Sequence, residues 1–205
     1  MKQLILLIII SLMVTSCNSQ TDLETLKFNE QIPETIKKIN GIEEDTDPIY
    51  GLKSFTTDEL QNFKFGDSFF TKYSVPKGYA YSKNYIHIHV DNFDENKYLG
   101  FSLNIANDEQ GIALLKYLKK KFGKPEERDT EGNGIALFWQ VEQPKQWIFL
   151  KQYKEITRDD KTYLNTTVTI VKQGVRVENT TDPKLFTILQ SFSLSNPKKS
   201  TPEKK

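Results

Sequence analysis

Two short stretches of strict alternation restrict this chain more than any other feature of its sequence. In residues 85–91, Ile86, Ile88 and Val90 fall on one side, and Tyr85, His87, His89 and Asp91 on the other. In residues 98–106, Leu99, Phe101, Leu103 and Ile105 alternate with Gly100, Ser102 and Asn104. A period of two belongs to a β-strand with one buried face. The polar residues 92–97 between them are few enough for a hairpin. An all-helical fold is therefore excluded, and an antiparallel sheet is the expected frame.

A helix follows at once. Asn107 with Gln110 gives a capping-box-like start over 107–122, and Asp108 and Glu109 suit the positive end of the helix. Ile112, Leu115, Leu118 and Phe122 form an apolar stripe flanked by Leu114, while Lys119, Lys120 and Lys121 precede the stop signals Gly123 and Pro125. Three more strands are expected, near 135–141, 146–153 and 161–172. Short helices are expected after Pro33 and from Asp182-Pro183 to about Leu189. Residues 43–48 read as an acidic loop. The order strand–strand–helix–strand–strand–strand predicts an α+β domain, with the long helix packed on one face of an antiparallel sheet. Aromatics on both sides of the later strands, among them Phe138, Trp139, Trp147, Phe149 and Tyr153, leave two readings open. Either the N-terminal segment or last helix covers the second face, or that face is an exposed platform for a partner.

The amino terminus has a different character. Met1-Lys2-Gln3 is basic, and the apolar run 4–14 is broken only by Ser11. Thr15, Ser16 and Cys17 follow. This is the layout of a secretory signal peptide, too short to span a bilayer. Val14-Thr15-Ser16-Cys17 resembles the lipobox of bacterial lipoproteins. The resemblance implies cleavage before Cys17, lipid on its sulfur and acylation of the new terminus. Asn at position 18, rather than Asp, implies the outer membrane of a Gram-negative cell envelope. Cys17 is the chain's single cysteine, so no intramolecular disulfide is open to it. Of the 28 Lys and Arg residues only Lys2 leaves with the signal, which balances basic and acidic side chains at 27 each. That balance excludes a general nucleic-acid binder. The expected division is a signal at 1–16, a lipidated tether at 17–28, one α+β domain at 29–194 and a disordered tail at 195–205.

Tyr117-Leu118, then Phe122-Gly123-Lys124-Pro125, then Trp139 and Trp147, resembles a pattern in small envelope lipoproteins and secreted proteins of the Bacteroidota. Those families carry no agreed activity, so the resemblance transfers no catalytic residue.

Candidate chemistry is sparse. His87 and His89 project from the same side of a strand, where Asp91 or Glu95 could complete a transition-metal site. The competing reading is a pair of solvated or hydrogen-bonded imidazoles. No Gly-x-Ser-x-Gly elbow is present, and Glu131-Gly132-Asn133-Gly134 lacks the Lys-Ser/Thr of a phosphate loop. No motif calls for a cofactor. The sequence thus favours a non-enzymatic envelope lipoprotein that binds a protein or peptide, with His87, His89, Trp139 and Trp147 as candidate contacts. An immunity or assembly-accessory protein, and a metal-dependent enzyme centred on His87 and His89, are the alternatives.

Overall fold

The computed structural model describes residues 20–199, apart from 95 and 131. The expected signal, Cys17, Glu95 and residues 200–205 lie outside the described residues. In chain order the elements are β1 (Thr21–Asp22), α1 (Glu34–Lys37), β2 (Glu43–Thr46), β3 (Lys53–Thr57), β4 (Phe63–Phe65), β5 (Ser68–Phe69), β6 (Tyr85–Val90) and β7 (Tyr98–Ile105). Then come α2 (Asp108–Phe122), β8 (Glu126–Arg128), β9 (Ile135–Glu142), β10 (Lys145–Ile156), β11 (Thr162–Lys172) and α3 (Ile188–Ser195). The class is α+β, and a large antiparallel sheet predominates. Its eight strands run in the order β2-β3-β6-β7-β11-β10-β9-β8, and β1-β4-β5 form a separate small sheet. The main sheet is therefore wider than the five strands the alternation predicts. None of the helices among the described residues is long and apolar enough to cross a membrane.

Local chemistry places the elements. Asn107 caps α2 by accepting from the Gln110 amide, and Gly123 ends it. The Gln110 side chain does not reach back to close a capping box. It bonds Thr71 and Asn84 instead, tying α2 to the segment before β6. The helix lies close on β11, since a Cβ at Gly111 would stand 2.2 Å from the Thr166 hydroxyl oxygen. Gly111, Leu114 and Leu118 are its buried residues, whereas Ile112, expected in the stripe, is exposed. The close approach at Gly111 rotates the packed face away from Ile112.

Paired residues on neighbouring strands share a face, so the register sorts the sheet. Ile88 (β6), Phe101 (β7), Ile170 (β11), Ile148 (β10) and Trp139 (β9) form one apolar row. They pack with Leu114 and Leu118 of α2, with Leu23 just after β1, and with Phe63 and Phe65 of the small sheet. On the second face, Trp147, Phe149, Phe138 and Val171 lie beneath Tyr50, Leu52, Val175, Ile188 and Phe192. The Phe149 and Phe192 rings are 4.6 Å apart. Burial of one such aromatic contributes about 2–3 kcal/mol, so α3 is held by side chains rather than by its short ladder of hydrogen bonds.

Four boundaries differ from expectation. Residues 43–46 form a strand rather than a loop. All four are exposed at the sheet's end, so no apolar alternation marks them. The last helix starts at Thr187, where a complete capping box with Gln190 outweighs the Asp182-Pro183 signal. The expected tether is already structured at Thr21, because Leu23 is buried and Asp22 pairs with Lys64 at 3.1 Å. The expected start of a tail at 195 falls within ordered chain. Ser195 ends α3, and residues 196–199 run beside β8.

Candidate functional site

The first core covers most of one face, whereas the second covers only part of the other. What remains of the second face is polar. Its central row crosses four strands: Ser54 Oγ meets His89 Nδ1 at 2.9 Å, His89 Nε2 meets Ser102 Oγ at 2.8 Å, and Ser102 Oγ meets Thr169 Oγ1 at 2.8 Å. Every member of the row is buried. Burial pushes the His89 imidazole down to about 3, with the neighbouring His87 adding to the effect. His89 is thus a neutral structural link, with both ring nitrogens engaged.

His87 stands one row away, between Thr56 and Ser102 in register. It is 5% exposed, its Nδ1 has no hydrogen-bond partner, and its ring meets Tyr85 edge-on at 5.4 Å. Asp47 is 1% exposed. One carboxylate oxygen accepts from the Tyr50 amide at 2.7 Å, and the other, Oδ1, has no partner. Burial raises the Asp47 carboxyl and lowers the His87 imidazole, and in each case it outweighs the attraction between the two. Both residues border a cavity of about 20 Å³ beneath Pro48 and Ile49, which Ser102 also lines. A volume of this size admits about one water molecule.

His87, Tyr85 and Pro48 also line a larger open groove of about 730 Å³ between β2–β3 and the segment that carries Lys72, Tyr81 and Lys83. One wall is self-neutralised. Lys72 and Lys83 each stand 3.1 Å from Asp58, and Lys72 also pairs with Glu59. The other wall is β2, whose Glu43 and Asp45 side chains have no ion pair among the described residues, while Glu44 pairs with Lys53. The groove is therefore acidic on the side of the sheet edge, with the Tyr81 and Tyr85 rings set into it.

The other sequence candidates separate. Trp139 is 4% exposed on the first face, and its Nε1 donates to the Gly123 carbonyl at 2.9 Å. Trp147 is 8% exposed on the opposite face, within the core that α3 covers. An aromatic platform formed by the two is ruled out, because neither ring faces open solvent. Asp91 spends one oxygen on the amides of Phe93 and Asp94 and on the Asn179 side chain. With His89 engaged at both nitrogens, His87, His89 and Asp91 do not converge on one point. Among the described residues no cluster of three His, Cys, Asp or Glu side chains could hold a metal ion. Sequence reasoning missed Asp47, Glu43 and Asp45. The only signal for them was the acidic run itself.

No family model matches the chain. Nor does any curated protein or solved structure match it. The geometry alone carries the functional reading.

Proposed function

We propose that this chain is a lipid-anchored binding module of the bacterial cell envelope. In this reading the signal at 1–16 is removed, Cys17 carries the lipid, and the domain stands at the outer membrane of a Gram-negative cell. Asn18 and Ser19 alone separate Cys17 from the first described residue, Gln20. Three extended residues span about 10 Å at most, so the domain would lie close to the bilayer surface.

Its partner is a basic, extended segment of another envelope protein, which adds to the free edge of β2. The observation that carries this reading is an open strand edge beside an acidic groove. β2 pairs with β3 on one side only, all four of its residues are exposed, and the groove lined by Glu43, Asp45, Tyr85 and His87 runs alongside. Main-chain hydrogen bonds would supply affinity, and the groove would select alternate side chains. A lysine or arginine there would meet carboxylates and tyrosine rings together.

Solubilised envelopes passed over the immobilised chain from Asn18 onward test the reading. A protein retained by the native chain and released by the double variant Glu43→Lys/Asp45→Lys supports it. Retention unchanged by that charge reversal would refute the edge as the contact. The anchor is tested separately by feeding an alkyne fatty acid to cells, where the native chain takes up label and Cys17→Ser does not.

A further inference from the structure

The two sides of β2 differ in charge. In register, Glu43 pairs with Thr56 and so lines up with His87, while Asp45 pairs with Ser54 and lines up with His89. Glu43 and Asp45 therefore stand on the second face, and both line the groove of about 730 Å³. Glu44 pairs with Phe55 and lines up with Ile88, which puts it on the first face. There it meets the Lys53 ammonium at 3.5 Å. One side of the strand is thus neutralised by the chain's own lysine. The other carries two carboxylates with no ion pair among the described residues. One Asp45 oxygen accepts from the Thr46 amide at 2.7 Å, which leaves the other open to a newcomer.

The groove also holds a buried polar atom without a partner. The row that starts at Glu43 reaches His87, which lines the groove, is 5% exposed and has no hydrogen-bond partner for its Nδ1. Two open carboxylates in front of an unmet ring nitrogen call for donors of positive charge.

A strand added to the edge inherits this asymmetry. It would lie about 4.8 Å beyond β2, and its side chains on one face would recur every two residues, about 6.8 Å apart. Residues i and i+2 of the newcomer then fall beside Glu43 and Asp45, and residue i+1 falls beside Glu44. Opposite charges directly across a strand pair attract. A cation at i and another at i+2 each gain a carboxylate. A cation at i+1 meets one already held by Lys53 and gains little.

We infer that the segment recognised at this edge carries two basic residues two positions apart, with an uncharged residue between them. This spacing rests on the β2-edge reading and adds to it the pattern that the partner must present.

Three seven-residue peptides, each of five threonines and two lysines, test the spacing by amide-resolved NMR titration of the chain from Asn18 to Lys205 at low ionic strength. The lysines are two positions apart in the first, adjacent in the second and three apart in the third. Charge and composition are equal, and only the first puts both lysines on one face of an extended strand. The first is expected to shift the amides of Glu43–Thr46 and to bind at least about threefold tighter than the others. Glu43→Gln and Asp45→Asn, both at exposed positions, should each erase that preference, while Glu44→Gln should leave it intact. Equal affinity of the three peptides for the native chain overturns the spacing and leaves the edge reading standing. A preference that Glu44→Gln weakens as much as Glu43→Gln does so too. If no peptide moves the β2 amides, the edge reading fails and the spacing fails with it.

Discussion

The main sheet has two edges, and the chain treats them in opposite ways. At β8 the C-terminal segment lies alongside. Lys198 bridges to Arg128, the Asp129 amide donates to the Pro197 carbonyl at 2.8 Å, and the buried Asn196 side chain donates to the Asp129 carbonyl. Lys199 then pairs with Glu127 at 2.8 Å. At β2 no strand lies beyond among the described residues, and the exposed residues are Glu43, Glu44, Asp45 and Thr46. Unpaired edges invite pairing with other chains, and proteins guard them either by covering them or by charging them. This chain covers one and charges the other. Covering closes an edge permanently, whereas charge closes it to like-charged strands and leaves it open to a strand of opposite sign. That difference is why the β2 edge, and not the β8 edge, is the proposed contact.

Four experiments would break or sharpen this contrast. The largest effect is expected from ending the chain after Ser195. At about 1 kcal/mol for each of the two hydrogen bonds to Asp129 lost, with further cost from exposing the half-covered β8, stability should fall by about 2–3 kcal/mol in urea unfolding. The truncated chain should also self-associate in sedimentation. A monomer of native stability would mean that the segment covers nothing of consequence.

Acid comes next. The unfolded chain takes a proton on His89 below its ordinary value near 6.5, and the folded chain does not until about 3. Stability is therefore full above about pH 6.5 and falls as the pH drops through that value, by about 2 kcal/mol at pH 5. Because His89 ties β3 to β6 and β7, hydrogen exchange at pH 5 should loosen amides of β3 and β6 before those of β9 and β10. Uniform loosening would count against an edge-specific weakness. Asn196→Ala should cost about 1 kcal/mol through its single amide bond to Asp129. The triple variant Glu43→Val/Glu44→Val/Asp45→Val should change stability by no more than about 0.5 kcal/mol, because those side chains are exposed. It should nevertheless form dimers or larger species that the native chain does not.

Parts of this architecture were legible in the residues. The alternation of Ile86, Ile88 and Val90, and the Asn107 cap before α2, carry their own local signals, and those elements stand where the pattern puts them. β2 does not, because a strand exposed on all four residues leaves no periodic trace. The polar side of β6 misleads for a related reason. His87 and His89 look solvated in isolation, yet both are buried, with the turn around Asp47 set against His87, and no local pattern announces a cover built from distant sequence. Trp139 and Trp147 are covered in the same way, one by the α2 side and one by α3.

The roof over the second face also sets a schedule. The wall opposite Trp147 and Phe149 is incomplete until Ile188 and Phe192 arrive, and β7 must wait for β11, with α2 and three strands between them in the chain. Folds dominated by such distant pairings close slowly, and synthesis delivers the amino-terminal part first. The domain therefore cannot lock until its last helix has been made. Were the proposed signal to direct export, that closing step would fall after the chain had crossed the membrane.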